Sequence, residues 1–136
     1  VTDLLKSKNQ SFEIIEYSNY REEDMILKAK ISKYCFVING TESQGIALEE
    51  LMSCNVPLFV WDVNSWNDIG EQYKSPATSV PYWSNTCGEK FLNEEELNIK
   101  FDEFLKNIDS YNPRNYILEN LNLKKQALEL IKIFKQ

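Results

Sequence analysis

Residues 41–57 read Thr41-Glu42-Ser43-Gln44-Gly45-Ile46-Ala47-Leu48-Glu49-Glu50-Leu51-Met52-Ser53-Cys54-Asn55-Val56-Pro57, and their reading decides the fold. An apolar run, Tyr34-Cys35-Phe36-Val37-Ile38, precedes them, and a second, Leu58-Phe59-Val60-Trp61, follows. The spacing predicts a strand, a loop, an amphipathic helix opening at Gly45, and a strand. That order is the βαβ unit of a parallel sheet. In such sheets ligands bind beyond the carboxyl ends of the strands. Glu42 falls in that loop and Glu50 on the helix after it. Glu50 lies one turn from Ile46 and one turn from Cys54, among semi-buried neighbours. Glu49 stacks with Gly45 and Ser53 on the more polar side. A carboxylate among apolar residues needs hydrogen-bond donors, which a ligand hydroxyl, a backbone amide or a Lys can supply. The amides of Gly45 and Ile46, free at the helix start with the helix dipole behind them, form an anion site. Gly45 lets a ligand approach the backbone closely. Carboxylates for hydroxyls beside amides for phosphate suit a sugar nucleotide.

On these residues the sequence resembles a family. Glu42-x7-Glu50, with Gly45 three after the first Glu and Asn55-Val56-Pro57 closing the helix, is similar to the E-x7-E signature of GT-B glycosyltransferases of the group 1 type. That motif reads roughly P-S-x-E-G-F-G-x-x-x-x-E-A-M-A-x-G-x-P. Glu42, Gly45, Glu50, Met52 and Pro57 match it. Asn39-Gly40 stands for Pro-Ser, Ser43-Gln44 for Gly-Phe, Leu51 and Ser53 for two Ala, and Asn55 for Gly. The resemblance runs loosely from about Phe12 to the C-terminus. It implies that Glu42 holds the donor sugar and acts in catalysis, and that Glu50 holds the ribose. Gly45 and Ile46 supply amides to the donor, with Ser43 and Gln44 in the same turn. Tyr20 lies near the nucleobase. It implies retaining transfer from a nucleotide-sugar, with no cofactor and, in the absence of a D-x-D motif, no metal. Two parts of such an enzyme are missing: the strand-loop-helix carrying the Arg and Lys that clamp the diphosphate, and the N-terminal acceptor-binding domain. Arg21, Lys33 or Lys74 are the available basic candidates. The 136 residues are therefore read as a single nucleotide-sugar-binding domain, half of a GT-B fold and a piece of a larger enzyme, inactive alone.

Composition sets the outer bounds. A chain of 136 residues, 43% hydrophobic and 26% charged, fits one domain. That length buries about two-thirds of its unfolded surface. The net charge is −6 and the pI about 4.8, and no stretch concentrates Lys and Arg as a nucleic-acid footprint would. No apolar run approaches the roughly 20 residues of a membrane span, and no signal peptide opens the chain. Cys35, Cys54 and Cys87 lack metal-ligand spacing and read as reduced core thiols in a cytoplasmic protein. The absence of His removes a Ser-His-Asp triad and His-ligated zinc.

Working outward, residues 1–10 read as a polar extension or the end of a helix. Residues 12–17, rich in aromatic and β-branched side chains, read as a strand. Asn19-Tyr20-Arg21-Glu22 has capping-box spacing with Asn19 as cap, and predicts a helix to about Lys33 with Met25, Ala29 and Ile31 inward. Residues 62–82 are turn-rich, with Trp66 and Trp83 as anchors and a short strand near 78–80. Another strand is expected at 89–91. Thr86-Cys87-Gly88-Glu89 resembles the glycine turn before the last edge of a donor domain, but reads first as a plain hairpin turn. Asn93 caps a helix over 94–107 with Leu97, Phe101, Phe104, Leu105 and Ile108 as its stripe. A further helix starts at Pro113. A last one, capped by Asn122, carries Leu123, Ala127, Leu130, Ile131 and Phe134 as a packing face.

The expected fold is thus a three-layer, Rossmann-like α/β sandwich, with 12–17, 34–38 and 57–61 in one parallel sheet and helices on both faces. The same pattern also fits a non-catalytic α/β interaction module, a degenerate donor domain or a flavodoxin-like one. Glu42 and Glu50 would then be loop and surface carboxylates.

Overall fold

The computed structural model of the chain describes residues 1–66 and 76–135. In chain order the helices are α1 (Thr2–Ser7), α2 (Glu22–Ile31), α3 (Ile46–Ser53), α4 (Glu94–Lys106), α5 (Pro113–Asn120) and α6 (Leu123–Phe134). The strands are β1 (Cys35–Ile38), β2 (Leu58–Trp61) and β3 (Gly88–Phe91). They form one parallel sheet in the order β1-β2-β3, with Cys35 opposite Leu58 and Leu58 opposite Gly88. The molecule is a mixed α/β fold built on this small sheet. Among the described residues no helix is long and apolar enough to cross a membrane.

Successive side chains of a strand point to opposite faces, and β2 divides its residues accordingly. Leu58 and Val60 join Met25, Ala29, Leu48, Leu51 and Met52 in one apolar cluster, with α2, α3 and part of α5 over it. Phe59 joins Phe91, Phe101, Phe104 and Leu5 in the other, beneath α4 and α1. That second cluster is aromatic: Phe59 stacks on Phe91 at 4.8 Å, and Phe36 meets Phe59 edge-on at 5.0 Å. Such pairs contribute about 0.5–1.5 kcal/mol beyond their buried area. α1 reaches the same cluster through Leu5, and Lys8 pairs with Asp102 of α4.

The βαβ unit over 34–61 is present as the pattern predicts, and β1 is parallel to β2. Three expectations are corrected. Residues 12–17 form no strand; the third strand is β3. Ile14 and Tyr17 are 65% and 87% exposed, and the segment lies along α2, tied by a Glu13–Lys28 ion pair at 2.6 Å. Strand propensity measures fit to a half-buried pleated surface, and this segment has none to fit. Residues 78–80 are likewise no strand, because their polar groups turn to Asp62 instead. The turn at 86–89 is no hairpin: β3 runs parallel to β2, and the Leu58 N–H donates to the Cys87 carbonyl. Gly88 (φ 144°) is obligatory there, since a Cβ would stand 1.9 Å from the Leu58 carbonyl oxygen.

The helices hold two further corrections. α2 starts after Arg21, whose side chain makes no capping bond, and not at Asn19; it ends at Ile31, which is exposed. α6 forms, and Asn122 caps it by accepting from the Lys125 N–H at 2.9 Å, but the helix buries no residue. Its expected packing face is solvent-exposed along its length. α4 starts at Asn93, the cap read from sequence, and α5 starts at Pro113 as expected, with the Asn112 side chain accepting from the Asn115 N–H at 3.2 Å as its cap. Asn55, left-handed at φ 62° after α3, accepts from the Arg114 N–H, while the Arg114 guanidinium donates to the Ser53 carbonyl. α5 is thereby fastened across the end of α3.

Candidate functional site

β1 leads into the 39–45 loop at the carboxyl edge of the sheet. Gly45 (φ 73°) makes the left-handed turn that starts α3. A Cβ there would meet Glu42 Cγ and Pro81 Cδ, each at 3.3 Å, so Gly45 is both bent and enclosed. Gly45 is buried, and Ile46, the first residue of α3, is exposed.

Glu42 folds back over its own turn. Its Oε1 accepts from the Ser43 N–H at 3.0 Å and the Gln44 N–H at 3.4 Å, and its Oε2 accepts from the Asn39 amide at 3.3 Å. Its own N–H donates to the Thr78 carbonyl at 3.0 Å. Ser43 and Gln44 are exposed, and Glu42 is half-buried.

Glu50 faces the start of α2. Burial raises its carboxyl above the usual range, and the Glu22 carboxylate, which shares a hydrogen bond with it, raises it further. Glu22 opens α2, two residues after Tyr20, so Glu50 and the Tyr20 loop meet on the α2 side. Tyr20 is half-buried against the apolar cluster under α2 and α3. It also lines a groove of about 500 Å³ between residues 14–20 and α2, with Ile14, Ile15, Met25 and Leu27. Neither Glu42 nor Glu50 lines that groove.

Glu49 is not the more polar of the two helix glutamates. It is half-buried as well, and burial raises its carboxyl. α5 packs on that side of α3, and its Tyr116 lies within the field of Glu49. Of the basic candidates for phosphate, Arg21 pairs with Glu23 at 2.7 Å, Lys33 is exposed, and Lys74 lies outside the described residues. Cys35, Cys54 and Cys87 are free thiols, and burial pushes the Cys35 thiol up to about 11.

One cluster at this edge was not foreseen. Asp62, directly after β2, accepts at Oδ1 from the Thr78 hydroxyl and the Ser79 N–H, both at 2.7 Å, and at Oδ2 from the Lys90 ammonium at 2.9 Å. Burial works against its charge, but the Lys90 ammonium, the Ser79 amide and the Thr78 hydroxyl together hold its carboxyl below the usual range. Lys90 sits 5.1 Å over the Trp83 ring. The signal available in the sequence was a lysine inside the short strand at 89–91 and an aspartate at the exit of 57–61, charges that need each other at a buried edge.

Comparison of the chain with known protein families, characterised proteins and solved structures returns no match.

Proposed function

We propose that this chain is the donor-binding half of a GT-B glycosyltransferase of the group 1 type, holding a nucleotide-sugar for retaining transfer to an acceptor carried by an N-terminal domain. The observation that carries the reading is the left-handed Gly45 turn, which opens α3 directly beyond β1 of a parallel sheet with Glu42 folded over it. In this reading the sheet and its helices are the core of a three-layer, Rossmann-like donor domain. The turn amides of Gly45 and Ile46 face the donor's sugar and phosphates, with Ser43 and Gln44 in the same turn holding Glu42; Glu42 takes sugar hydroxyls, and Glu50 takes the ribose. Tyr20, on the same side as Glu50, flanks the base.

The chemistry of each carboxylate is consistent with its role. A carboxylate offers about four acceptor positions, and Glu42 has three protein donors, so a sugar hydroxyl has a place to donate. Fixed acceptors of this kind act most strongly as charge develops at the sugar. Glu50 and Glu22 repel each other, and a ribose diol donating between them relieves that repulsion. No metal or cofactor enters this scheme. Free thiols fit the reducing cytoplasm, where nucleotide-sugars are drawn on.

A second reading has its own support. The three donors on Glu42 belong to its own loop, which is what a purely structural turn closure would look like in a non-catalytic α/β module.

Ligand-shift measurements with UDP, GDP, ADP and their sugars on the full-length protein separate the two. In the transferase reading, Glu50→Gln weakens nucleoside diphosphate binding roughly ten- to a hundredfold, the loss of a charged acceptor worth about 1.5–3 kcal/mol. Glu42→Gln leaves nucleoside diphosphate binding nearly unchanged and cuts turnover. Equal losses for both variants with both ligands, or no binding of any nucleotide, would assign the motif to scaffold.

A further inference from the structure

The Glu42 turn hangs from a short segment that belongs to neither β1 nor α3. The Glu42 N–H reaches the Thr78 carbonyl, and the Asn39 carbonyl accepts from the Ser79 hydroxyl at 3.3 Å. Ser79 is fully buried, and the same hydroxyl lies 3.1 Å from the Trp61 carbonyl. Residues 78 and 79 therefore join the exit of β1 to the exit of β2. Asp62 fixes both of them through Oδ1, and Lys90 of β3 fixes Asp62 and touches the Thr78 hydroxyl at 3.3 Å. Three strand ends thus converge on one ion pair, and Glu42 is suspended from it.

We propose that Asp62 and Lys90 are a positioning pair for the Glu42 turn, acting through the Thr78 carbonyl and the Ser79 hydroxyl. What the turn binds rests on the donor-site reading above; how the turn is held does not. The mechanism is electrostatic. The Asp62 carboxylate accepts four donors at once, the Val63 and Ser79 N–H groups, the Thr78 hydroxyl and the Lys90 ammonium, because it is ionised, and the ammonium beside it keeps it so. Neutralising Asp62 turns an acceptor towards Lys90 into a donor or a weak acceptor. In Asn an NH2 in the Oδ2 place repels Lys90 and one in the Oδ1 place repels the Thr78 and Ser79 donors, so either orientation loosens the hold on Thr78 and with it the Glu42 N–H. Among the described residues Lys90 is the charged group hydrogen-bonded to Asp62. Glu42, on the neighbouring turn, is engaged by Ser43, Gln44 and Asn39.

Amide hydrogen exchange on the full-length protein tests this, with rates corrected for intrinsic exchange. In Asp62→Asn the Glu42 amide should exchange about ten- to a hundredfold faster, the loss of a charge-assisted contact, while β2 amides are unchanged. The wild-type protein should show the same rise as pH falls through the lowered Asp62 value, and the variant should show no such step. Thr78→Ala, which keeps the carbonyl and loses the hydroxyl, should give a smaller rise at the same amide. It serves as the second variant should Asp62→Asn not fold. Lys90→Arg should retain protection that Lys90→Met loses. Unchanged protection of the Glu42 amide in Asp62→Asn or Thr78→Ala, or loss in step with β2, overturns the proposal. Binding is the second arm: Asp62→Asn should weaken nucleotide-sugar several-fold more than nucleoside diphosphate. If wild type binds no nucleotide-sugar, the donor reading fails and exchange alone decides the positioning. If it binds and Glu42 exchange does not move, the positioning fails and the donor reading stands.

Discussion

α4 and α6 carry nearly the same local instructions and meet opposite fates. Each starts at an Asn whose side chain accepts from the third residue on: Asn93 from the Glu96 N–H at 3.0 Å, Asn122 from the Lys125 N–H at 2.9 Å. Each has an apolar stripe at helical spacing. Phe101 and Phe104 of α4 are fully buried against Phe59 and Phe91, whereas Leu123 and Phe134 of α6 are 88% and 81% exposed. Caps and stripes are local properties, and they specify that a helix forms and which side of it is apolar. Whether a surface exists to receive that side is a property of the rest of the molecule. α4 has the aromatic face of β2 and β3; no described residue offers α6 the equivalent.

The comparison can be broken most directly at the stripes. Phe101→Ala should cost about 3–5 kcal/mol in denaturant unfolding, the range for emptying a packed aromatic site. Phe134→Ala should stay within about 0.5 kcal/mol, as an exposed position does. A comparable loss at both would mean that the α6 stripe is covered in solution.

The caps sharpen it. Asn93→Ala should lower global stability by about 1 kcal/mol, because α4 is part of the cooperative core. Asn122→Ala should leave the unfolding midpoint in place and instead reduce helicity over 123–134, read from backbone chemical shifts. A helix of this length without tertiary support is marginal, so its cap matters to it alone. A midpoint that moves equally for both caps would merge the two helices into one cooperative unit.

The same distinction explains what could be read from the sequence. The unit over 34–61 was legible because its information is contiguous: two apolar runs, a glycine, a periodic helix and a proline. The caps at Asn93 and Asn122 and the helix start at Pro113 were legible for the same reason. Residues 12–17 misled because Ile14, Ile15 and Tyr17 are good strand residues with no strand beside them. At the candidate site, Glu42 and Gly45 were found by their spacing, and the structure puts them in contact range across one turn. The Asp62 cluster was not found. Its partners Thr78, Ser79 and Lys90 are 16, 17 and 28 residues away, and no local rule connects them. Glu49 was misplaced because the element that covers it, α5, lies far along the chain.

The sheet order also has a meaning in time. β2 is central, flanked by a strand that precedes it and one that follows. A chain emerging from a ribosome can pair β1 with β2 once Trp61 is out, with α3 already folded across them. It cannot close the other edge of β2 until Phe91 has followed. During that interval Leu58 to Trp61 presents a bare ladder of backbone groups, and Phe59 lacks the rings of Phe91, Phe101 and Phe104 that later enclose it. Exposed apolar surface and an unpaired strand edge are what make a partly made protein aggregate. The nascent chain is most vulnerable while the turn-rich stretch after β2 is being translated.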